Sequence, residues 1–219
     1  MNLVSNTSMK PAQTTSILQA DSLHFGYPDK ALFKNFSAII ASRITLIRGG
    51  DGCGKSTLLK LLAGSLPLQS GQLLINGISL QEQPENYTAQ VFLADPRTDS
   101  FDQFTLPDYF KLQRSIHAGF NDSVLAELTD GLGLEEHLHK QLFMLSTGSK
   151  RKVFLAAAMA SGAQVTLLDD PFAALDAASI RFMLSWLDAA ASASNRAWVI
   201  ASHVAPDGLR LAQIIDLGD

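Results

Sequence analysis

Nine residues, GGDGCGKST at positions 49–57, constrain the fold more than any other stretch of the chain. They fit the pattern G-x-x-x-x-G-K-[ST] and stand between SRITLIRGG (residues 42–50) and KSTLLKLLAG (residues 55–64). The first run is β-branched and ends in glycines, which predicts a strand. The second is rich in leucine and stops at a glycine, which predicts a helix. Glycine accepts positive φ, so the connecting loop can curl its backbone N–H groups inward around an anion, and the helix N-terminus adds its positive end. Gly49, Gly50, Asp51, Gly52, Cys53 and Gly54 therefore read as a phosphate cradle. Lys55 would reach the terminal phosphates, and Ser56, next to Thr57, would offer its hydroxyl to Mg²⁺. Cys53 needs only to be small at its position.

Around this loop the pattern alternates. Further strands are expected in GQLLINGISL (residues 71–80), AQVFLAD (89–95), QVTLL (164–168) and AWVIA (197–201), with helices near 150–161 and 178–190. Residues 106–145 are mostly helical, with turn signals at GFND and DGLG. Strands alternating with helices argue for a mostly parallel sheet covered on both faces. With 219 residues, 47% hydrophobic and 17% charged, the chain can hold one domain with a substantial core. The polar start, residues 1–16, reads as a tail, and Met9 is an alternative start.

Composition narrows the partners. A net charge of −4 and a pI near 5.7 give no overall basic footprint, so nucleic acid is not an expected partner. One cysteine makes no intramolecular disulfide, and the first residues lack the apolar core of a signal peptide, which favours the cytoplasm. The longest uncharged run, residues 153–168, is too short to cross a bilayer and is broken by ASGAQ.

Two later motifs select a family. LSTGSKRKV (residues 145–153) precedes VTLLDDP (165–171), and together with the cradle they resemble the signature sequence and Walker B strand of the ABC ATPases, the nucleotide-binding subunits of ABC transporters. FGYPD places Tyr27, and VIASHV places His203, where that family has an adenine-stacking tyrosine and a γ-phosphate histidine. The resemblance runs from about residue 23 to the C-terminus. It implies an α/β fold with a P-loop NTPase (RecA-like) core, an antiparallel β element and an inserted helical subdomain: a tail at 1–16, then one domain at 17–219 with its core at 17–95 and 145–219 and the insert at about 96–144. It also implies ATP and Mg²⁺ as cofactors, ATP hydrolysis driving transport, a head-to-tail pairing with a second cassette, and separate transmembrane permease subunits that hold the chain at the inner face of the membrane. A groove near residues 95–110 would receive a helix of those subunits. A looser likeness points to the ATPase of the haem-export, cytochrome c maturation system.

Within that resemblance each residue has an implied role. Asp169 would hold Mg²⁺ with Ser56, Asp170 would polarise the attacking water, and Lys55 and His203 would contact the γ-phosphate. Ser146 and Gly148 would meet the nucleotide of the partner cassette, and Asp176 would touch that partner. Tyr27 offers adenine a flat π-face, although a Tyr before Pro also serves as a packing residue; LSTGS likewise fits an ordinary helix N-cap. Four departures stand out. Asp95 replaces a usual Gln as a metal-site residue, Thr147 and Ser149 replace a Gly and a Gln of the signature, and Asp170 replaces the usual Glu. The shorter acid predicts slow hydrolysis, and a regulatory subunit that binds ATP but hydrolyses it poorly is the competing expectation. An ABC ATPase without a transporter is a third class, usually built of tandem cassettes or long inserts. Lys150, Arg151 and Lys152 are expected to form a solvated helix face, and His137 and His139 to be surface residues without metal partners.

Overall fold

The computed structural model describes residues 16–218. Of the expected tail, residues 1–15 lie outside the described residues, and Ser16 opens the first strand. In chain order the elements are β1 (Ser16–Tyr27), β2 (Lys30–Ala41), β3 (Arg43–Arg48), α1 (Lys55–Leu62), β4 (Ser70–Ile75), β5 (Ile78–Ser79), α2 (Pro84–Thr88) and β6 (Val91–Ala94). There follow α3 (Leu106–Ile116), α4 (Asp122–Gly131), α5 (Thr147–Ala160), β7 (Val165–Asp169), α6 (Ala177–Ala193), β8 (Ala197–Ser202) and β9 (Leu211–Asp216).

The strands form two sheets. One is antiparallel, in the order β2-β1-β4-β5; the other is parallel, in the order β6-β7-β8-β3-β9. This is the α/β architecture expected from the sequence. The residue runs of β3, β7 and β8 are almost continuously apolar because both faces of the parallel sheet are covered. Alternate side chains enter different cores. Ile44, Leu46, Leu168, Trp198 and Ile200 pack with α3, α5 and α6, whereas Ile47, Leu167, Val199 and Ala201 pack with α1 and the antiparallel sheet.

Local chemistry explains the boundaries. The expected strand over 71–80 is a hairpin instead, because Asn76 and Gly77 both adopt positive φ, 50° and 80°, in an Asn-Gly turn between β4 and β5. Helix α5 begins at Thr147 because Ser146 caps it, accepting a hydrogen bond from the Ser149 backbone N–H at 3.0 Å. Asp176 caps α6 in the same way through the Ser179 N–H at 2.8 Å. Between β6 and α5 the chain adds two 3-10 turns, Glu135–His137 and Leu142–Met144, to α3 and α4. Among the described residues, no helix is long and apolar enough to cross a membrane.

Parallel pairing positions the site. Ala201 on β8 is in register with Ile47 on β3 and with Asp169 on β7, so the loop after β3, the acids ending β7 and the residues following β8 emerge at one edge. The C-terminal edge of a parallel sheet is where such folds bind ligands.

Candidate functional site

The loop after β3 is anchored before it turns. Gly50 N–H donates to the Gly218 carbonyl at 3.0 Å, which ties the loop to the segment after β9. A Cβ on Gly49 would lie 2.6 Å from Cys53 Sγ and 2.7 Å from that same carbonyl oxygen, so only glycine fits. Gly54, at φ 108°, caps α1, whose first turn carries no acid to repel an anion. Lys55 Nζ folds back onto the carbonyl oxygens of Gly49 and Gly50, 2.7 Å from each. The ammonium is thus held by the backbone of its own loop.

The cleft beside the loop has a volume of about 340 Å³. Its wall includes Tyr27, Asp51, Gly52, Gly54, Lys55, Ser56, Thr57, Asp169, Asp170 and His203, so one cavity gathers most of the sequence-predicted residues. Tyr27, 50% exposed, has its hydroxyl 3.4 Å from Thr57 Oγ1 and its ring edge-on to Phe25. An exposed ring on a fixed hairpin is available for stacking. His203 Nε2 lies 3.1 Å from Asp51 Oδ1 across the mouth. Asp170 is exposed, and its backbone sits at φ 48° with its N–H donating to the Ala201 carbonyl at 2.9 Å.

At the deep corner, Ser56 Oγ donates to Asp169 Oδ1 at 3.0 Å, and Asp169 is only 6% exposed. A hydroxyl and a carboxylate are hard oxygen donors suited to Mg²⁺, which commonly takes one or two protein ligands and completes its shell with phosphate and water. The expected third member, Asp95, is elsewhere. Its Oδ2 pairs with Lys60 Nζ at 2.9 Å and its Oδ1 accepts from the Arg97 backbone N–H at 3.1 Å, so both carboxylate oxygens are engaged in this structure. Burial pushes the Asp95 carboxyl up, but the Lys60 hydrogen bond, the Arg97 amide and both positive charges outweigh burial and hold it below the usual range.

Arg97 completes the corner instead. Its Nη2 donates to Ser56 Oγ at 2.6 Å and to Asp169 Oδ2. Two further cations contact these loops: Lys30, not assigned from sequence, and Arg151, expected on a solvated face. Lys30 Nζ donates to the Gly52 carbonyl at 2.9 Å, a position foreshadowed only by the β1–β2 register that pairs Lys30 with Tyr27. Arg151, 8% exposed, donates to the Ala173 carbonyl beneath the acidic loop. Burial lowers its pKa against the opposing charges of Asp170 and Asp169.

The basic triplet is therefore not a solvated face. Lys150 Nζ donates to the Thr98 carbonyl at 2.8 Å and pairs with Asp102, while Lys152 Nζ pairs with Asp176 at 2.8 Å. The Lys152 hydrogen bond, joined by two from Ser179, holds the Asp176 carboxyl well below its usual pKa. His139 is exposed, but His137 is mostly covered and its Nδ1 lies 2.9 Å from Lys140 Nζ. Ser146 and Gly148 do not line the cleft. Ser146 is occupied as the cap of α5, and a Cβ on Gly148 would come within 2.5 Å of the Ala174 carbonyl oxygen, so a glycine is required there by the chain's own packing.

Comparison with known proteins bears on the family of the chain. The family model for ABC transporters matches residues 35–173. The chain is 34% identical over 168 residues to the spermidine/putrescine import ATP-binding protein PotA of Thermotoga maritima, an alignment covering 74% of this chain and 45% of PotA. It is 30% identical over 203 residues to the cytochrome c biogenesis ATP-binding export protein CcmA of Wolbachia pipientis, covering 92% of this chain and 96% of CcmA. It spans 11% of the cholesterol transporter ABCA5 of Rattus norvegicus. A solved ATP-binding subunit of an ABC transporter superimposes with a TM-score of 0.77 at 22% identity, over 86% of this chain and 80% of that one, a likeness of fold.

Proposed function

The chain belongs to the ABC transporter family, and on that premise we propose that it binds MgATP, pairs head-to-tail with a second cassette around the nucleotide, and hydrolyses ATP to drive transport through separate membrane subunits. The observation that carries this reading is the single cleft at the sheet edge that joins the glycine loop to Asp169, Asp170, His203 and Tyr27. The division into a core at 17–95 and 145–219 and a helical insert at about 96–144 belongs to the same proposal, as does attachment to the cytoplasmic face of a membrane.

In this reading Tyr27 stacks on adenine and the glycine-loop amides hold the phosphates. Lys55 leaves the carbonyls of Gly49 and Gly50, each 2.7 Å away, for the β- and γ-phosphates. Ser56 and Asp169 would hold Mg²⁺, which neutralises phosphate charge when bound. Asp170 orients the attacking water, whose oxygen bonds to the γ-phosphorus as the β–γ bridging oxygen departs with ADP. His203 exchanges its Asp51 contact, 3.1 Å in this structure, for the γ-phosphate. Ser146 and Gly148 of the partner cassette face the same phosphate from the other side.

A second reading, a regulatory subunit that binds ATP and turns it over poorly, is favoured by the short Asp170 and by Arg97 at the Ser56–Asp169 corner. Phosphate release in a single turnover separates the two, measured on the full chain alone and with its membrane subunits. Release that accelerates with the membrane subunits and disappears in Lys55→Ala is the expected result. Retained nucleotide with no release in either setting would replace the motor by the regulator.

A further inference from the structure

The most unusual feature of the cleft is the cation at its Ser56–Asp169 corner. Arg97 Nη2 donates to both Ser56 Oγ, at 2.6 Å, and Asp169 Oδ2, the two groups that would hold Mg²⁺. Asp169 is 6% exposed, so its charge has little access to water and depends on a nearby cation. The Arg97 arm is also held at its base. Its backbone N–H donates to Asp95 Oδ1 at 3.1 Å, its Nε stands 3.7 Å from the same oxygen, and Asp95 is itself fixed by Lys60 at 2.9 Å. The side chain is 62% exposed, so the guanidinium reaches the corner from the solvent side with room to withdraw.

We propose that Arg97 is a tethered cation that takes the place of the divalent metal at the Ser56–Asp169 corner, letting the cleft accept a nucleoside triphosphate without Mg²⁺ and making the metal compete for entry. The proposal rests on the nucleotide-binding reading above. Its physical basis is the sign of the charges. A metal-free triphosphate carries negative charge toward Asp169, and like charges at short range in a partly buried site repel. A guanidinium on Asp169 removes that repulsion and still has N–H groups with which to meet a phosphate oxygen, since its fork carries five donors. Mg²⁺ needs the same oxygens, and guanidinium and metal cannot both hold them. Asp95, assigned to the metal from sequence, thus acts one step removed, as the positioning residue for Arg97.

The test is a titration of the full chain with the fluorescent analogue methylanthraniloyl-ATP, in Mg²⁺ and in EDTA, on wild type, Arg97→Gln and Arg97→Lys. Wild type is expected to lose less than about tenfold in affinity when EDTA replaces Mg²⁺. Arg97→Gln is expected to lose at least about tenfold more than wild type, the scale of one charge-assisted hydrogen bond. Arg97→Lys, which keeps the charge without the fork, should fall between them. Asp95→Asn should move the same ratio in the same direction by a smaller factor. Because Arg97 is largely exposed, the variants should melt near wild type, and a melting curve on each sample checks this. An equal Mg²⁺-to-EDTA ratio in wild type and Arg97→Gln overturns the role of Arg97. Wild type that fails to bind in Mg²⁺ overturns the nucleotide reading beneath it.

Discussion

Replacing Asp170 by Glu adds one methylene, about 1.5 Å of reach, and keeps the charge. The backbone at this position is restrained. Asp170 N–H donates to the Ala201 carbonyl at 2.9 Å, directly after Asp169, which is paired in register with the same residue. The loop therefore has little freedom to carry the shorter acid forward, and in the proposed role the missing length would be felt at the attacking water. A misplacement on the order of 1 Å lowers a rate by roughly 10²-fold, equal to ~2.7 kcal/mol. An opposing effect works on stability. At φ 48° Asp170 lies in the left-handed region, which Asp enters more readily than Glu, and the exchange should cost about 1 kcal/mol. Asp170→Glu is thus expected to hydrolyse ATP up to roughly 10²-fold faster while melting about 2–4 °C lower. The assay is phosphate release at saturating MgATP with the membrane subunits present, beside a thermal melt and an Asp170→Asn control that should fall below wild type. Turnover equal to wild type, with Asp170→Asn inactive, would refute the argument, because the acid would then already reach its water.

Two further changes probe the surroundings of the cleft. In Gly148→Ala the new Cβ would lie 2.5 Å from the backbone oxygen of Ala174, so α5 or the loop before α6 must shift; overpacking of this kind costs about 1–3 kcal/mol, and an unchanged melt would show that the approach is looser. Alkylation of Cys53 should abolish binding of the fluorescent ATP analogue, because its Sγ fills the space above Gly49, and MgATP should slow the labelling; equal labelling rates with and without MgATP would sink this expectation.

What the sequence made legible was whatever is held together locally. Strand β3, the glycine loop and α1 form one continuous segment, and the glycines carry their own reason in φ, so the cradle could be read without tertiary knowledge. Strands β7 and β8 were legible because burial on both faces leaves continuous apolar runs. Strand β9 was not, since it is an edge strand with every second residue exposed, and α2 is too short, at five residues, to show a helical period. The hairpin of β4 and β5 is marked in the sequence by Asn76-Gly77, a turn signal inside the stretch expected as one strand.

The misread residues share a physical cause. Lys150, Arg151 and Lys152 follow one another on a helix, and their spacing suggests exposure, but their partners Asp102, Ala173 and Asp176 come from other parts of the chain. Arg97 stands 41 residues from Ser56 and 72 from Asp169, so no local pattern marks it. The partners of Asp95 are likewise unmarked by any local pattern. A carboxylate at a strand end beside a phosphate cradle is chemically a fair metal ligand; in this structure Lys60, in the last turn of α1, and Arg97 hold it. Motifs that hold phosphate are written in neighbouring residues; the charges that tune such motifs arrive from across the fold. In this chain an arginine that sequence reading passed over, with Asp95 behind it, stands where Asp95 itself was expected. On the proposed reading, the metal dependence of nucleotide binding should therefore respond to a substitution outside the cradle, Arg97→Gln, whose residue contacts both groups at that corner.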